Sequence, residues 1–174
     1  MNKTIEIAIN DQIKEEIYSA YLYLSMSAFA EENQLFGIAN WFDIQAKEEM
    51  DHAKGFFNFL LAHDGIIELQ AIPKPPADFD GHLGMFTDAL EHEKEITIKI
   101  NKLYELGNQE KDYDLVAWLK WYIDEQAEEE QSVLVILEKI KIAGKAAPGL
   151  FMIDKELAKR QYTPASIITK QKKS

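Results

Sequence analysis

Apolar residues recur at spacings of three and four along four long stretches of the chain, a pattern that predicts amphipathic helices. These stretches cover residues of about 5–33, 38–63, 83–106 and 112–143, and a shorter one covers about 149–159. No stretch alternates apolar and polar residues as a strand does. The sequence therefore predicts an all-α fold, a four-helix bundle with a short fifth helix, followed by a polar basic tail over residues 161–174.

The connections between the helices predict how they are arranged. Short breaks near residues 33–37 and 107–111 make helices one and two, and helices three and four, antiparallel neighbours. The connection over residues 64–82 contains three prolines and is much longer. Extended, it reaches up to about 60 Å, whereas a 26-residue helix is about 39 Å long. We therefore expect one long crossover, with helices two and three parallel.

Each of the four long helices carries one glutamate on its otherwise apolar stripe. These residues are Glu16, Glu49, Glu93 and Glu129. His52 lies three residues after Glu49 and Gln126 lies three residues before Glu129, so each shares a helix face with its glutamate. The expected cluster therefore contains four carboxylates, one imidazole and one amide.

Four inward carboxylates demand neutralisation. Two like charges 4 Å apart repel by about 4 kcal/mol at an effective dielectric constant of 20, against a total stability of about 5–15 kcal/mol for a domain. The groups are protonated, or far apart, or bound to cations. Two divalent cations would balance four carboxylates, and carboxylates with one imidazole suit iron or manganese. Counting residues from the turns leaves level differences of about 6 Å and 9 Å between paired glutamates, so convergence does not follow from spacing alone.

Composition excludes several classes of function. The chain has 30 acidic and 19 basic residues, a net charge of −11, which disfavours binding to nucleic acid. It has no cysteine, which excludes disulfides, cysteine-ligated zinc and iron–sulfur ligation. No apolar run matches a signal peptide or a membrane span, so we expect no membrane association and a cytoplasmic location.

Several short motifs together resemble those of prokaryotic non-haem ferritins, in the same order over residues 5–160. The motifs are Glu16-Ile17-Tyr18, Glu48-Glu49-Met50-Asp51-His52, His92-Glu93 and Glu125-Gln126-Ala127-Glu128-Glu129-Glu130. Bacterioferritins and rubrerythrins carry a second Glu-x-x-His motif, which Gln126-x-x-Glu129 replaces here. The resemblance implies a ferritin-like domain over residues 1–160. Met50 falls where bacterioferritins place a haem-ligating methionine, but the non-haem resemblance implies no haem.

The resemblance also implies a set of iron ligands. One iron would be held by Glu16, Glu49 and His52, and the other by Glu49, Glu93 and Glu129. Gln126 would form hydrogen bonds beside them, and Tyr23 would supply an electron or serve only as a core aromatic. A third iron would take Glu48, Glu125 and Glu128, with Glu129 as a candidate shared ligand; the alternative for these residues is a solvated acidic face.

The function implied is iron storage. Fe(II) would be oxidised by dioxygen or hydrogen peroxide, and Fe(III) would be stored as mineral in a hollow shell of 24 copies. Two other classes stay open from the residues alone: a small di-iron redox enzyme that stores nothing, and an interaction bundle without metal. Particle size separates the first alternative from a storage shell, and metal content separates the second.

Overall fold

The structure, a computed structural model, describes residues 1–144 and 147–170 of the 174-residue chain. In these ranges the regular elements are helices only, which confirms the predicted all-α class. They are α1 (Lys3–Glu32), α2 (Phe36–Ala62), α3 (Gly81–Gln109), α4 (Tyr113–Ala143), α5 (Ala147–Leu157) and α6 (Ser166–Lys170). The first five lie within three residues of the ends predicted from the sequence. No helix of the described ranges is long and apolar enough to cross a membrane.

Local capping accounts for where several helices begin and end. The Asn2 side chain accepts from the backbone N–H of Thr4 at 2.8 Å, and Asp112 accepts from Leu115 at 3.0 Å. Such caps satisfy N–H groups that lack a partner in the first helical turn. Gly144 ends α4 with a φ of 60°, a left-handed conformation that glycine adopts without steric cost.

The long crossover runs along the whole of α1. Near its start, the backbone N–H of Ile66 donates to the Glu6 carboxylate at 3.1 Å. Near its end, Phe79 packs edge-on against Phe29, 5.3 Å between ring centroids. The crossover thus carries the chain from the end of α2 back to the opposite end of the bundle. Helices α2 and α3 therefore run parallel, as the length of this connection predicts.

Helix α5 caps α2 from outside. The residue before α2, Leu35, offers no side-chain cap; instead Asp154 Oδ1 accepts from the backbone N–H groups of Gly37 and Ile38 at 2.8 and 2.9 Å. A Cβ on Gly37 would lie 1.7 Å from the carbonyl oxygen of Asp154, so only glycine permits this approach. Ile153 and Leu157 of α5 are buried against the bundle.

The predicted polar tail is only partly polar. Residues 166–170 form the short helix α6, which the sequence pattern did not indicate, and Ile167 is buried against α2 and α4. Residues 171–174 of the predicted tail lie outside the described residues. The segment between α5 and α6 follows the surface of α2 and is fastened to it by hydrogen bonds.

The interior consists of two apolar clusters with a polar layer between them. One cluster gathers the end of α1, the starts of α2 and α3, the end of α4, and α5 around Phe42 and Phe86. The other gathers the opposite ends of the same four helices and α6 around Phe56 and Tyr122. The four glutamates predicted to point inward all fall in the layer that separates the clusters.

Replacing Asp154 tests whether α5 holds the start of α2. We expect Asp154→Ala to lower stability by about 1 kcal/mol, as for loss of an N-cap, and Tm by a few degrees. Asp154→Asn should retain most of the stability because its amide oxygen still accepts. Asp124→Ala, which removes an exposed acid from α4, is the matched control. Equal Tm values for Asp154→Ala and the control would contradict the capping role. Thermal unfolding of metal-free protein is the measurement.

Candidate metal centre

The four predicted glutamates converge in the polar layer and are almost fully buried. Their exposed fractions are 1% for Glu16, 2% for Glu49, 1% for Glu93 and 6% for Glu129. His52 and Gln126 are also buried, with 1% and 3% exposed. Burial of this many ionisable side chains without pairing would cost several kcal/mol each, so the layer requires an explanation beyond packing.

Two groups of side chains have the spacing of a metal-binding site, with one ligand atom of each member within 4.8 Å of the others. The first group is Glu16, Glu49 and His52, and the second is His52, Glu125 and Glu129. His52 joins the two groups: Nδ1 lies 3.4 Å from Glu49 Oε2, and Nε2 lies 3.9 Å from Glu125 Oε1. The imidazole therefore stands between two sets of carboxylates.

Among the residues that the structure describes, several buried acceptor and donor atoms in this layer have no hydrogen-bond partner. Both ring nitrogens of His52 and Oε2 of Glu16 are of this kind. Buried polar atoms are nearly always satisfied in folded proteins, so a group of unsatisfied ones marks a place for a ligand. The main chain of His52 is held separately, because the hydroxyl of Tyr122 donates to its carbonyl oxygen at 2.8 Å.

Glu93 is the most heavily hydrogen-bonded of the four glutamates. The hydroxyl of Tyr23 donates to its Oε1, and Nε2 of Gln126 donates to its Oε2 at 3.1 Å. The structure thus places Tyr23 and Gln126, both singled out in the sequence, directly on one carboxylate of the layer. Tyr23 is fully buried between Phe42 and His92, which face its ring.

Two glutamines that orient the glutamates were missed by the sequence reading. Nε2 of Gln12 donates to Glu16 Oε1 at 2.8 Å, and Nε2 of Gln45 donates to Glu129 Oε2 at 2.7 Å. Gln12 lies four residues before Glu16 on the same face of α1, a spacing that the sequence does reveal. Gln45 acts across the bundle from α2 to α4, and no local spacing points to that contact.

Burial and mutual repulsion raise the pKa values of these carboxyls. Loss of hydration, and then the neighbouring Glu49 charge, raise the pKa of Glu16 to about 8. Loss of hydration, and then the charge of Glu129, raise the pKa of Glu93 to about 8. The same causes hold the pKa of Glu49 well above its ordinary value. Without metal, the carboxyls of Glu16, Glu49 and Glu93 are therefore largely protonated at pH 7.

The residues predicted for a third iron are only partly brought together. Glu125 is half-buried and faces His52, while Glu48 is half-buried and forms an ion pair with Arg160 at 2.6 Å. Loss of hydration raises the pKa of Glu48 to about 7, although Arg160 opposes the shift. Glu128 is exposed and belongs to neither metal-binding group among the described residues. Its role as an iron ligand stays a prediction.

Comparison with known proteins agrees with this geometry. Residues 7–143 match the family model of the ferritin-like domain. The chain belongs to the ferritin family. It is 40% identical over 154 residues to a bacterial non-haem ferritin of Campylobacter jejuni, covering 88% of this chain and 92% of that one. It is 34% identical over 162 residues to one of Staphylococcus saprophyticus, covering 93% and 97%.

Solved ferritin structures have the same fold. An Archaeoglobus fulgidus ferritin engineered into a closed form superposes with a TM-score of 0.93 at 42% identity, covering 94% of this chain and 99% of that one. The open-pore ferritin of the same archaeon superposes with a TM-score of 0.92 at 41% identity, covering 92% and 98%. The sequence-based assignment to the ferritins and to their helical bundle is therefore confirmed.

The raised pKa values of this ferritin chain make a pH-dependent prediction. A carboxyl whose pKa rises on folding favours the fold below its unfolded pKa, and the benefit is lost as pH rises through the folded pKa. For Glu16 this loss of stability is expected between about pH 4.5 and about pH 8. Within this range, metal-free wild type should lose up to about 1.4 kcal/mol of unfolding free energy per pH unit relative to Glu16→Gln.

Urea unfolding of metal-free protein at several pH values measures this difference. Glu31→Gln, which neutralises an exposed glutamate of the same helix, is the control and should track the wild type. A stability difference between wild type and Glu16→Gln that does not change between pH 5 and 8 would show that Glu16 does not titrate in this window.

Proposed function

We propose that this protein is an iron-storage ferritin that oxidises Fe(II) at a dinuclear centre within each chain. The observation that carries the proposal is the buried layer of four glutamates in which His52 and Glu16 leave ligand atoms unpaired. Carboxylate and imidazole ligands suit iron. The non-haem ferritins that share about a third or more of the sequence support the same assignment.

The proposed ligand set uses all four glutamates of the layer and His52. Glu16, Glu49 and His52 hold one iron, Glu49 also reaches the second, and Glu93 and Glu129 complete it. Each Fe(II) gives up one electron to dioxygen or hydrogen peroxide, and the Fe(III) product moves on to storage. Gln12 and Gln45 keep the carboxylates of Glu16 and Glu129 oriented for the incoming ions.

Protons and iron compete for the same oxygens in this proposal. Because the pKa values of Glu16, Glu49 and Glu93 are raised, two entering Fe(II) ions displace protons from the layer. Tyr23, whose pKa is raised well above 10 by burial, keeps its hydroxyl proton and donates it in a hydrogen bond to Glu93. We infer that, when Tyr23 gives an electron to the dioxygen or hydrogen peroxide that is reduced at the iron pair, its hydroxyl proton passes along this hydrogen bond to Glu93.

A third iron beside the pair is the finer part of the proposal. Glu125 contributes through the group that it forms with His52 and Glu129. Glu48 lies one helical turn before His52 on α2. Glu128 would become a ligand only if its exposed side chain turned toward Glu125 and Glu129. The shared member, Glu129, would connect this site to the second iron.

Assembly into a hollow shell of 24 copies is proposed from the surface as well as from the relatives. The outer side of α5 exposes Phe151 and Met152 at 65% and 72%. A second apolar surface is a groove of about 600 Å³ between α1 and α2, lined by Tyr21, Leu24 and Met50 among others. Contiguous exposed apolar surface of this kind commonly becomes buried between protein subunits.

Glu49→Ala tests the dinuclear assignment. Because Glu49 is proposed to contact both ions, its loss should slow the fast phase of Fe(II) oxidation by about 100-fold or more. Stopped-flow absorbance after mixing anaerobically loaded protein with oxygen measures the rate. Glu95→Ala, which removes an exposed glutamate from α3, should behave as wild type. An unchanged initial rate in Glu49→Ala would remove the dinuclear assignment.

The double variant Phe151→Ser, Met152→Ser tests assembly. Removing two exposed apolar side chains should shift the protein from shell to small oligomers in analytical ultracentrifugation. Helix content by circular dichroism should stay unchanged, because neither side chain belongs to the bundle core. Wild type that sediments only as a small oligomer would instead favour a di-iron redox enzyme that stores no mineral. An undiminished shell in the variant would show that this face of α5 is not an interface.

A further inference from the structure

The chain has a single arginine, Arg160, against 18 lysines, and it pairs with Glu48, which lies one helical turn before His52 on α2. Its Nη2 is 2.6 Å from Oε2 of Glu48, and both side chains are half-buried, with 27% and 18% exposed. The guanidinium carbon stands 4.9 Å from the ring centroid of Trp41, and Nη1 donates to the Trp41 carbonyl oxygen at 3.4 Å. The arginine is thus held on three sides in one orientation.

The chain on either side of Arg160 is tied down independently. Asn40 donates to the carbonyl oxygen of Arg160 at 3.2 Å. Further along, the hydroxyl of Tyr162 and the backbone N–H of Ala165 both donate to Oδ2 of Asp51, at 2.7 and 2.9 Å. Residues 160–168, here called the strap, are therefore held along α2 by contacts other than the arginine ion pair.

The end of the strap is anchored by an apolar contact. Ile167 is 7% exposed and sits over Gly55, where a Cβ would come within 3.2–3.3 Å of its side chain. Nε1 of Trp121 on α4 donates to Oγ of Ser166 at 2.9 Å. The strap thus spans from α2 to α4, the two helices that carry Glu48 and Glu125.

Arg160 places its positive charge next to Glu48, a carboxylate that is predicted to bind a metal ion. Among the described residues, the ion pairs formed by lysine lie elsewhere on the surface, and Arg160–Glu48 is the one pair that joins a lysine or arginine to a predicted iron ligand. On the same side of the layer, Nε2 of His52 has no hydrogen-bond partner and faces Glu125. The guanidinium of Arg160 therefore already supplies one positive charge at the edge of the proposed third iron site.

We propose that Arg160 stands in for the third iron: its guanidinium neutralises Glu48 in the metal-free protein and must leave Glu48 before a divalent cation binds there. This inference rests on the third site of the proposed function. Arginine keeps its charge at every working pH, so this competition, unlike competition by protons, is always present. The third ion should therefore bind more weakly than the first two.

Anaerobic calorimetry with Zn²⁺, which undergoes no redox change, tests the inference. Arg160→Gln should tighten binding of the third Zn²⁺ by about tenfold, because a competing charge next to Glu48 is gone, and leave the first two unchanged. Lys159→Gln removes the same charge from the adjacent exposed residue and should match wild type. Equal third-ion affinity in Arg160→Gln and Lys159→Gln would overturn the inference, as would the lack of a third ion in both.

A further variant separates this inference from the proposed third site. Glu125→Ala should abolish third-ion binding in both the wild-type and the Arg160→Gln backgrounds. If the third ion persists without Glu125, the proposed ligand set is wrong, and the role of Arg160 falls with it. If binding of the third ion requires Glu125 but its affinity is unchanged in Arg160→Gln, the proposed site stands and only the inference about Arg160 is wrong.

The unmutated protein gives a second test that does not depend on how the variants fold. Phenylglyoxal modifies arginine, and Arg160 is the only arginine, so mass spectrometry reads its accessibility directly. Two equivalents of Zn²⁺ should leave the modification rate unchanged, and the third should raise it about threefold or more as the guanidinium leaves Glu48. N-acetylarginine under the same conditions controls for effects of Zn²⁺ on the reagent. A rate that does not respond to the third equivalent would overturn the inference.

Discussion

The structure depends on accommodating four buried carboxylates between two apolar clusters. Glu16, Glu49, Glu93 and Glu129 interrupt a core that is otherwise continuous from one end of the bundle to the other. If all four were ionised, they would repel one another by several kcal/mol, which is a large fraction of the unfolding free energy of a domain. The apolar clusters on both sides supply the stability that makes such a layer tolerable, and they also exclude the water that would otherwise screen it.

The identity of these residues follows from the sequence, but their convergence does not. One glutamate on each apolar stripe is visible from helical spacing alone. Their common level depends on where the turns fall: α1 ends at Glu32 and α2 begins at Phe36, slightly earlier than predicted. That shift reduces the level difference between Glu16 and Glu49 from about 9 Å to about 4–5 Å. Side-chain reach covers the remainder, and only the folded turn reveals it.

Contacts between distant parts of the chain were the least predictable features. Gln45 reads as an ordinary polar residue of α2 until the fold brings it to Glu129. The tail reads as polar and basic because a five-residue helix shows too little periodicity to be recognised. Among the described residues of the tail, the buried anchor Ile167 depends on the absence of a side chain at Gly55 on another helix. Such long-range complementarity leaves no local pattern in the sequence.

Two kinds of positive charge keep the metal-free layer balanced, and both are removable. Protons neutralise the innermost carboxyls, since burial raises the pKa values of Glu16 and Glu93 to about 8. At the edge, where Glu48 is less buried, a guanidinium does the same. A fixed internal cation would block the site, and unpaired carboxylates would destabilise the fold. Exchangeable protons inside and a tethered arginine outside avoid both problems, because each can yield to an incoming metal ion without unfolding the bundle.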